Sequence, residues 1–319
     1  MVQTVIGKDI AKARALLERG LLVAIPTETV YGLAANALDA DAVLQIFEVK
    51  NRPHFDPLIV HGASADALRE YVTLFPDWAK TLSDKFWPGP LTIILPKKDS
   101  IPDIVTSGMP TVAIRVPKHP LTYELLLQLD FPLAAPSANP FGYVSPTTPQ
   151  HVMDQLGGRI PYILDGGDCS VGIESTIVAE QDGKICILRL GGLSVEEIES
   201  TIGPVSILTN ETVHTPGSMK SHYATRTPLK LGTIDLTQYD LATTGILSFQ
   251  KRYDDIPVKN QLVLSPDGDL REASKYLFAA MRHLDSLKLR IILAEKFPEV
   301  GLGRAINDRL RRAANAAWY

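Results

Sequence analysis

Two short polar islands interrupt otherwise apolar stretches of the chain: Lys50-Asn51-Arg52 and Pro136-Ser137-Ala138-Asn139. Two cations, a hydroxyl and an amide suit a polyphosphate, because charge-assisted hydrogen bonds are strong, about 1.5–3 kcal/mol each. Lys50 lies seven residues after Val43, on the helix face that also carries Ile46 and Phe47. A cation ending an apolar stripe has two explanations: an anion waits there, or the charge favours the negative end of the helix dipole and snorkels outward. Two further arginines join the list. In Thr111-Val112-Ala113-Ile114-Arg115 the alternation sends Val112 and Ile114 to the core and Thr111 and Arg115 to the other face, which by itself reads as a half-solvated strand. Arg189 sits in a segment, residues 185–190, that is apolar on both faces, so it is predicted to be buried and to need an anion or a dense set of acceptors. A structural carboxylate and a ligand phosphate satisfy that need equally. His61 ends Leu58-Ile59-Val60 and alone reads as structural. Thr27, Glu28, Thr29 and Tyr31 form a hydroxyl-rich loop with one carboxylate, suited to an amine and a hydroxyl or simply to capping a helix.

The elements that must position these groups follow from periodicity and punctuation. A helix is predicted over residues 8–19, ended by Gly20, then a strand over 21–25 stopped by Pro26, with the loop PTETVYGL punctuated by Gly32. Asp39 caps a helix that ends before Pro53, and Ser64 caps another. Strands are predicted over 58–61, 91–95, 111–116 and 132–135, the last leading straight into PSAN, then over 162–164, 176–179 and 185–190, with Ser194 capping a helix. Loops at strand termini of an open α/β sheet are where small molecules bind. Gly, Pro, Thr, Ser and His dominate residues 203–226, which reads as a linker, although His222-Tyr223 within it suggests docking onto something. Beyond it, strands over 245–249, 262–264 and 291–294 alternate with helices over 266–284 and 304–316. The expected fold is α/β: a twisted, partly open mixed sheet with helices over residues 1–203, a linker over 204–226, and a small doubly wound, Rossmann-like domain over 227–319.

Composition bounds the function. A net charge of −4 over 319 residues provides no bulk positive field for coating nucleic acid. Cys169 and Cys186 lack metal-ligand spacing and read as reduced, structural thiols, which fits a reducing cytosol. Residues 1–10 carry Lys8 and Asp9 without a signal-peptide apolar run, and no run approaches the ~20 residues that span a bilayer. The expected location is the cytoplasm, with no membrane partner. The P-loop, H-E-x-x-H and G-x-S-x-G motifs are absent, and Gly301-Leu302-Gly303 reads as a turn.

Taken in order, PTETVYGL, KNRP followed by PLIVH, WPGPLTIIL, VAIRVP, APSAN and GIESTIV resemble the threonylcarbamoyl-AMP synthases of the YrdC-like family, densely from Gly20 to Gly203. PGSMKSHYA and GLGRAINDRLRRAA resemble its two-domain long form. The resemblance implies a YrdC-like sheet around a positively charged cavity. It also implies a reaction in which L-threonine, bicarbonate and ATP give threonylcarbamoyl-adenylate and pyrophosphate, for modification of tRNA through partner transferase proteins. Carried over residue by residue, Lys50 and Arg52 become the catalytic pair and, with Ser137 and Asn139, sit on the ATP phosphates. Thr29, His61, Arg115 and Ser175 are expected to hold threonine, Arg115 on its carboxylate. Thr111, Ser145 and Arg189 match nucleotide contacts, and Tyr223 is expected to reach over the nucleotide as part of a lid. Asp56 stands where the family commonly has asparagine, and either contacts ATP or favours a bound Mg²⁺. Leu190 and Thr225 replace prolines common at their positions. Two alternatives stay open: an RNA-binding module of the same fold, and a carbamoyl-phosphate-dependent carbamoyl transferase. The acidic charge balance argues against stable nucleic-acid binding, and Thr29, His61 and Ser175 argue for the synthase.

Overall fold

A computed structural model describes residues 2–208 and 222–315. The chain begins β1 (Val5–Gly7), α1 (Ile10–Glu18), β2 (Val23–Ile25), β3 (Gly32–Asn36), α2 (Ala40–Lys50), β4 (Ile59–His61), α3 (Ala65–Arg69) and α4 (Asp77–Phe86). It continues with β5 (Leu91–Pro96), α5 (Asp103–Thr106), β6 (Thr111–Arg115), α6 (Pro120–Leu127), β7 (Leu133–Ala134), α7 (Pro149–Leu156) and β8 (Tyr162–Leu164). Next come β9 (Thr176–Gln181), β10 (Lys184–Arg189), α8 (Val195–Ile202) and β11 (Ser206–Ile207). After the undescribed segment lie β12 (Leu229–Leu231), β13 (Thr244–Ser248), β14 (Gln261–Val263), α9 (Leu270–Ser286), β15 (Ile291–Ala294) and α10 (Gly303–Ala314).

Strands β1 to β11 form one mixed sheet, ordered β1-β8-β2-β3-β7-β4-β6-β5-β9-β10-β11. The remaining four form a parallel sheet, β12-β15-β13-β14, packed against α9 and α10. Strand directions in the large sheet decide where the polar residues meet. β4 runs parallel to β6, with His61 abreast of Arg115. β5 runs antiparallel to β6, and β9 runs parallel to β5, with Thr176 abreast of Leu91. β10 returns antiparallel, with Arg189 opposite Ile177. The C-terminal ends of β4, β6 and β10 and the N-terminal end of β9 therefore share one edge of the sheet.

Local chemistry supports the elements. Asp39 caps α2 by accepting from the Asp41 and Ala42 amides. Asn51 ends it in the left-handed region (φ 52°), its N–H returning to Glu48 and Phe47, and this reversal sends Arg52 back along the helix end. Ser64 caps α3, and Ser194 with Glu197 forms a capping box on α8.

Several expectations need correction. Gly32 is not a break but the first residue of β3, which pairs antiparallel with β2, so residues 26–31 form a hairpin loop. Gly-Leu-Ala-Ala-Asn carries no β-branched residue, and neighbouring strands rather than propensity hold it extended. β1, α4, α5, α6, α7, β11 and β12 were not foreseen, and α9 starts at Leu270 behind the Asp269 cap rather than at 266. The half-solvated reading of β6 also fails. Val112 and Ile114 enter the main core as predicted, but Ala113 and Arg115 on the other face are buried too, because that face lies beneath loops. Cys169 and Cys186 are buried free thiols. Among the described residues no helix is long and apolar enough to cross a membrane.

Candidate functional site

A small cavity of about 50 Å³ opens at the shared sheet edge. Of the residues singled out from sequence, Thr29, His61, Arg115 and Ser175 line it on one side, and Arg52, Ser137, Arg189 and Tyr223 complete the wall. The two polar islands do converge. Lys50, Asp56, Thr111, Asn139 and Ser145 stand outside the lining, and three of them, Lys50, Asp56 and Ser145, hold lining residues in place. Lys50 is fully buried and its Nζ donates to the Ser137 and Asn139 carbonyls, 2.5 Å each, clamping the second island onto the end of α2. Burial, and then the neighbouring Arg52 cation, push its pKa far down, while Asp56 opposes that shift. Arg52 is held by the Asp56 carboxylate (2.9 Å) and by the Asp56 and Pro57 carbonyls. Asn139 donates to the Pro140 and Tyr143 carbonyls, shaping its loop, and its Oδ1 is buried without a hydrogen-bond partner. Ser145 donates to Glu174 Oε1 at 2.6 Å. Thr111 lies at the far end of β6 from Arg115, and extending the β4–β6 register sets it abreast of Pro57.

Arg115 is not waiting free. Its Nη2 meets Glu28 Oε1 at 2.6 Å and its Nε donates to the Gly89 carbonyl, while Glu28 Oε2 accepts from the Lys118 amide. The hydroxyl-rich loop therefore caps no helix. Thr27 and Thr29 bond each other (2.8 Å), and Thr27 ties the turn through Val30. His61 is pushed down to about 3, first by burial and then by the Arg115 cation, so the ring is neutral, with Nδ1 3.1 Å from the Ile59 carbonyl. Ser175 Oγ touches Thr92 Oγ1 (2.7 Å) and accepts from Arg189 Nη2 (3.0 Å). Arg189 also donates twice to the Ser175 carbonyl, and burial pushes its pKa down to about 10. The dense set of acceptors that its burial demanded is present.

Sequence reasoning assigned no role to Glu174 or Arg309, offered Glu28 only as the carboxylate of the hydroxyl-rich loop, and offered His222 only as part of a docking patch. Glu174 and His222 line the cavity. Burial raises the Glu174 carboxyl, but Arg309, Arg189 and the Ser145 hydroxyl pull it below its ordinary value. Arg309 belongs to α10, which no local signal ties to residues more than a hundred positions earlier. The available hint was its place on the helix face of Ile306, Leu310 and Ala313. His222 and Tyr223 are buried, with Tyr223 stacked on Phe278 of α9. The rest of PGSMKSHYA before His222 lies outside the described residues. Among the described residues no cluster of three His, Cys, Asp or Glu side chains forms a metal site.

A family model described as "Telomere recombination", of the Sua5/YciO/YrdC group, matches residues 15–191, more than half of the chain. The chain belongs to the Sua5/YciO/YrdC family. A second model, "Threonylcarbamoyl-AMP synthase, C-terminal domain", matches residues 193–315, which marks the two-part form within that family. Relatives named threonylcarbamoyl-AMP synthase include one from Bacillus subtilis strain 168, 41% identical over 96% of this chain and 93% of its own length. Another, from Pyrococcus abyssi, is 40% identical over 95% of this chain and 93% of its own. The solved structure of P. abyssi Sua5 complexed with L-threonine superposes with a TM-score of 0.88, at 37% identity, covering 98% of this chain and 97% of that one.

Proposed function

We propose that this member of the Sua5/YciO/YrdC family is an ATP-dependent nucleotidyltransferase that makes L-threonylcarbamoyl-adenylate from L-threonine, bicarbonate and ATP, releasing pyrophosphate for tRNA modification. The observation that carries the reading is the convergence of the two islands with Arg115, Arg189, His61 and Ser175 on one cavity, in a chain aligned end to end with relatives of that name.

The chemistry asks little of the protein beyond placement. The neutral threonine amine adds to carbon dioxide with loss of a proton, or displaces water from bicarbonate, to give a carbamate, whose oxygen then attacks the α-phosphorus as pyrophosphate leaves. No covalent enzyme intermediate is required, so catalysis rests on positioning and on cations around the phosphates. Arg115 takes the threonine carboxylate. Its Nη1 makes no hydrogen bond among the described residues, while Glu28 fixes the plane of the guanidinium. Neutral His61, with Thr29 and Ser175, supplies uncharged contacts. Arg52 and Ser137 face the phosphates from the cavity wall, and Asn139 shapes the loop behind Ser137. Lys50 has one donor left after its two carbonyls, and acts chiefly by holding Ser137 and Asn139 where they are needed. Arg189 and Tyr223 contact the nucleoside side from the cavity wall, with Ser145 holding Glu174 behind them and Thr111 abreast of the lining Pro57. Mg²⁺ commonly binds through one or two carboxylates plus substrate phosphates. Asp56 would be the carboxylate to hold such an ion, but it stands outside the cavity lining and pairs with Arg52 at 2.9 Å, so the residues present do not fit one. The product then passes to partner transferase proteins in the cytoplasm.

The test is pyrophosphate release from ATP, with threonine and bicarbonate each omitted in turn. Release is expected only with both present. Threonine-independent release, or salt-sensitive RNA binding without turnover, would overturn the proposal.

A further inference from the structure

The C-terminal part of the chain reaches the cavity wall through Phe278, which stacks on Tyr223, and through one buried cation. Arg309, in the middle of α10, is 0% exposed. Its Nε and Nη2 donate to Glu174 Oε2 at 3.2 and 3.1 Å, and its Nη1 donates to the Leu190 carbonyl at 2.5 Å. Asp308 Oδ2 lies 3.2 Å from Nη1, and the guanidinium sits 5.4 Å over the Tyr223 ring. Glu174 in turn holds Ser145 through its other oxygen, and precedes Ser175 in the chain. One planar fork therefore touches Tyr223 and Glu174 and lies one step from Ser145, Ser175 and Arg189.

Two consequences follow from charge and geometry. A carboxylate in a wall that must accept a triphosphate repels it unless neutralised, and Arg309 makes two of the bonds to that carboxylate. Tyr223, at positive φ (64°), has no sheet or helix ladder of its own, so Arg309 and Phe278 fix where its ring lies. Gluing the two parts of the chain together does not require Arg309. Arg282 on α9 donates to the Val144 and Ser145 carbonyls and to Gln155, Tyr143 bonds Asp285, and Arg304 pairs with Glu196.

We propose that Arg309 is a positioning residue for ATP: it cancels the Glu174 charge and seats Tyr223, so that the nucleotide wall accepts an anion. The inference rests on the function proposed above. Its test measures ATP and threonine affinities separately by calorimetry, and KM for each, in the full-length protein. Arg309→Met is expected to weaken ATP binding at least ten-fold and to leave threonine within about two-fold. The Arg309→Met/Glu174→Gln double variant is expected to recover most of the ATP affinity, because the stranded charge is gone while Ser145 keeps its acceptor. Equal losses for both substrates with no recovery in the double variant, or unchanged ATP affinity in Arg309→Met, would overturn the proposal. If Arg309→Met does not fold, Arg309→Lys retains the charge without the fork. It should weaken ATP alone, about three-fold, because the seat of Tyr223 is lost while Glu174 stays paired, and equal losses for both substrates would again overturn the proposal. A wild type that binds ATP yet releases no pyrophosphate with threonine would overturn the functional reading, while the binding comparison still decides the role of Arg309. A wild type that binds no ATP would end both.

Discussion

Arg115 and Glu28 are each buried, and beyond one another their side chains have one further bond each, to the Gly89 carbonyl and from the Lys118 amide. Removing one partner of such a pair strands the other charge, at a cost of about 3–5 kcal/mol. Glu28→Ala is accordingly expected to lower the unfolding free energy by that amount, read as a lower urea midpoint at unchanged m-value, and to raise the threonine KM more than the ATP KM. Lys50 is a different case, because its acceptors are backbone carbonyls of the loop it holds. Lys50→Met should cost about 1–3 kcal/mol per orphaned carbonyl and should lower kcat/KM for ATP, read by the same assay. His61 gives a pH dependence whose sign can be worked out. Its folded pKa is depressed to about 3, against an ordinary value near 6.5. Between these values the unfolded chain binds a proton that the native ring refuses, so stability falls as pH drops from about 6.5 towards 3. The slope is about 1.4 kcal/mol per pH unit for this group. Thermal unfolding followed from pH 7 to pH 4 should show the decline, and His61→Gln should remove this group's share of it, leaving the shares of other histidines such as His151 and His222, which burial also holds below their ordinary values.

At the scale of elements, the edge where β4, β6, β9 and β10 meet is kept narrow by glycine. A Cβ on Gly191, just after β10, would lie 2.4 Å from the Glu174 carbonyl oxygen, the Ser175 carbonyl carbon and the Thr176 nitrogen, all backbone atoms unable to swing away. Gly191→Ala should therefore pry the start of β9 from the end of β10. The expected cost is about 1–3 kcal/mol from overpacking, with both substrates bound more weakly, in contrast to the ATP-selective loss at Arg309. Denaturant midpoints measured beside the two KM values separate these outcomes. α2 shows how much of an element can be read locally: the Asp39 cap, the apolar face and the basic last turn were all visible, and Asn51 supplies the reversal. β3 shows the opposite. Its small side chains carry no strand signal, and hydrogen bonds from β2 and β7 alone hold it extended.

Over the whole molecule, the cavity is too small for its proposed substrates. Small-molecule sites run to about 300–1,000 Å³, against about 50 Å³ here with His222 and Tyr223 forming part of the wall. Nucleotide entry therefore requires that pair to withdraw. Amide exchange at residues 222–227 is expected to change on adding ATP while β4, β6 and β9 stay protected, and mass spectrometry of peptides from both regions reads this directly. Unchanged exchange at 222–227 with ATP bound would show that the wall is not displaced.

The residue types at the site were determined by sequence alone. Lys50, Arg52, Ser137, Asn139, Arg115 and Arg189 carry chemistry that an apolar setting makes conspicuous, and short-range patterning placed each at the end of a helix or strand. Partners were a different matter. That Arg115 arrives already paired with Glu28, that Lys50 grips a loop instead of facing the cavity, and that Arg309 from the last helix neutralises Glu174 were decided only by the tertiary structure. Charge pairing depends on distances across the sheet and between its two parts, and local periodicity carries no information about which distant side chains will share one low-dielectric space.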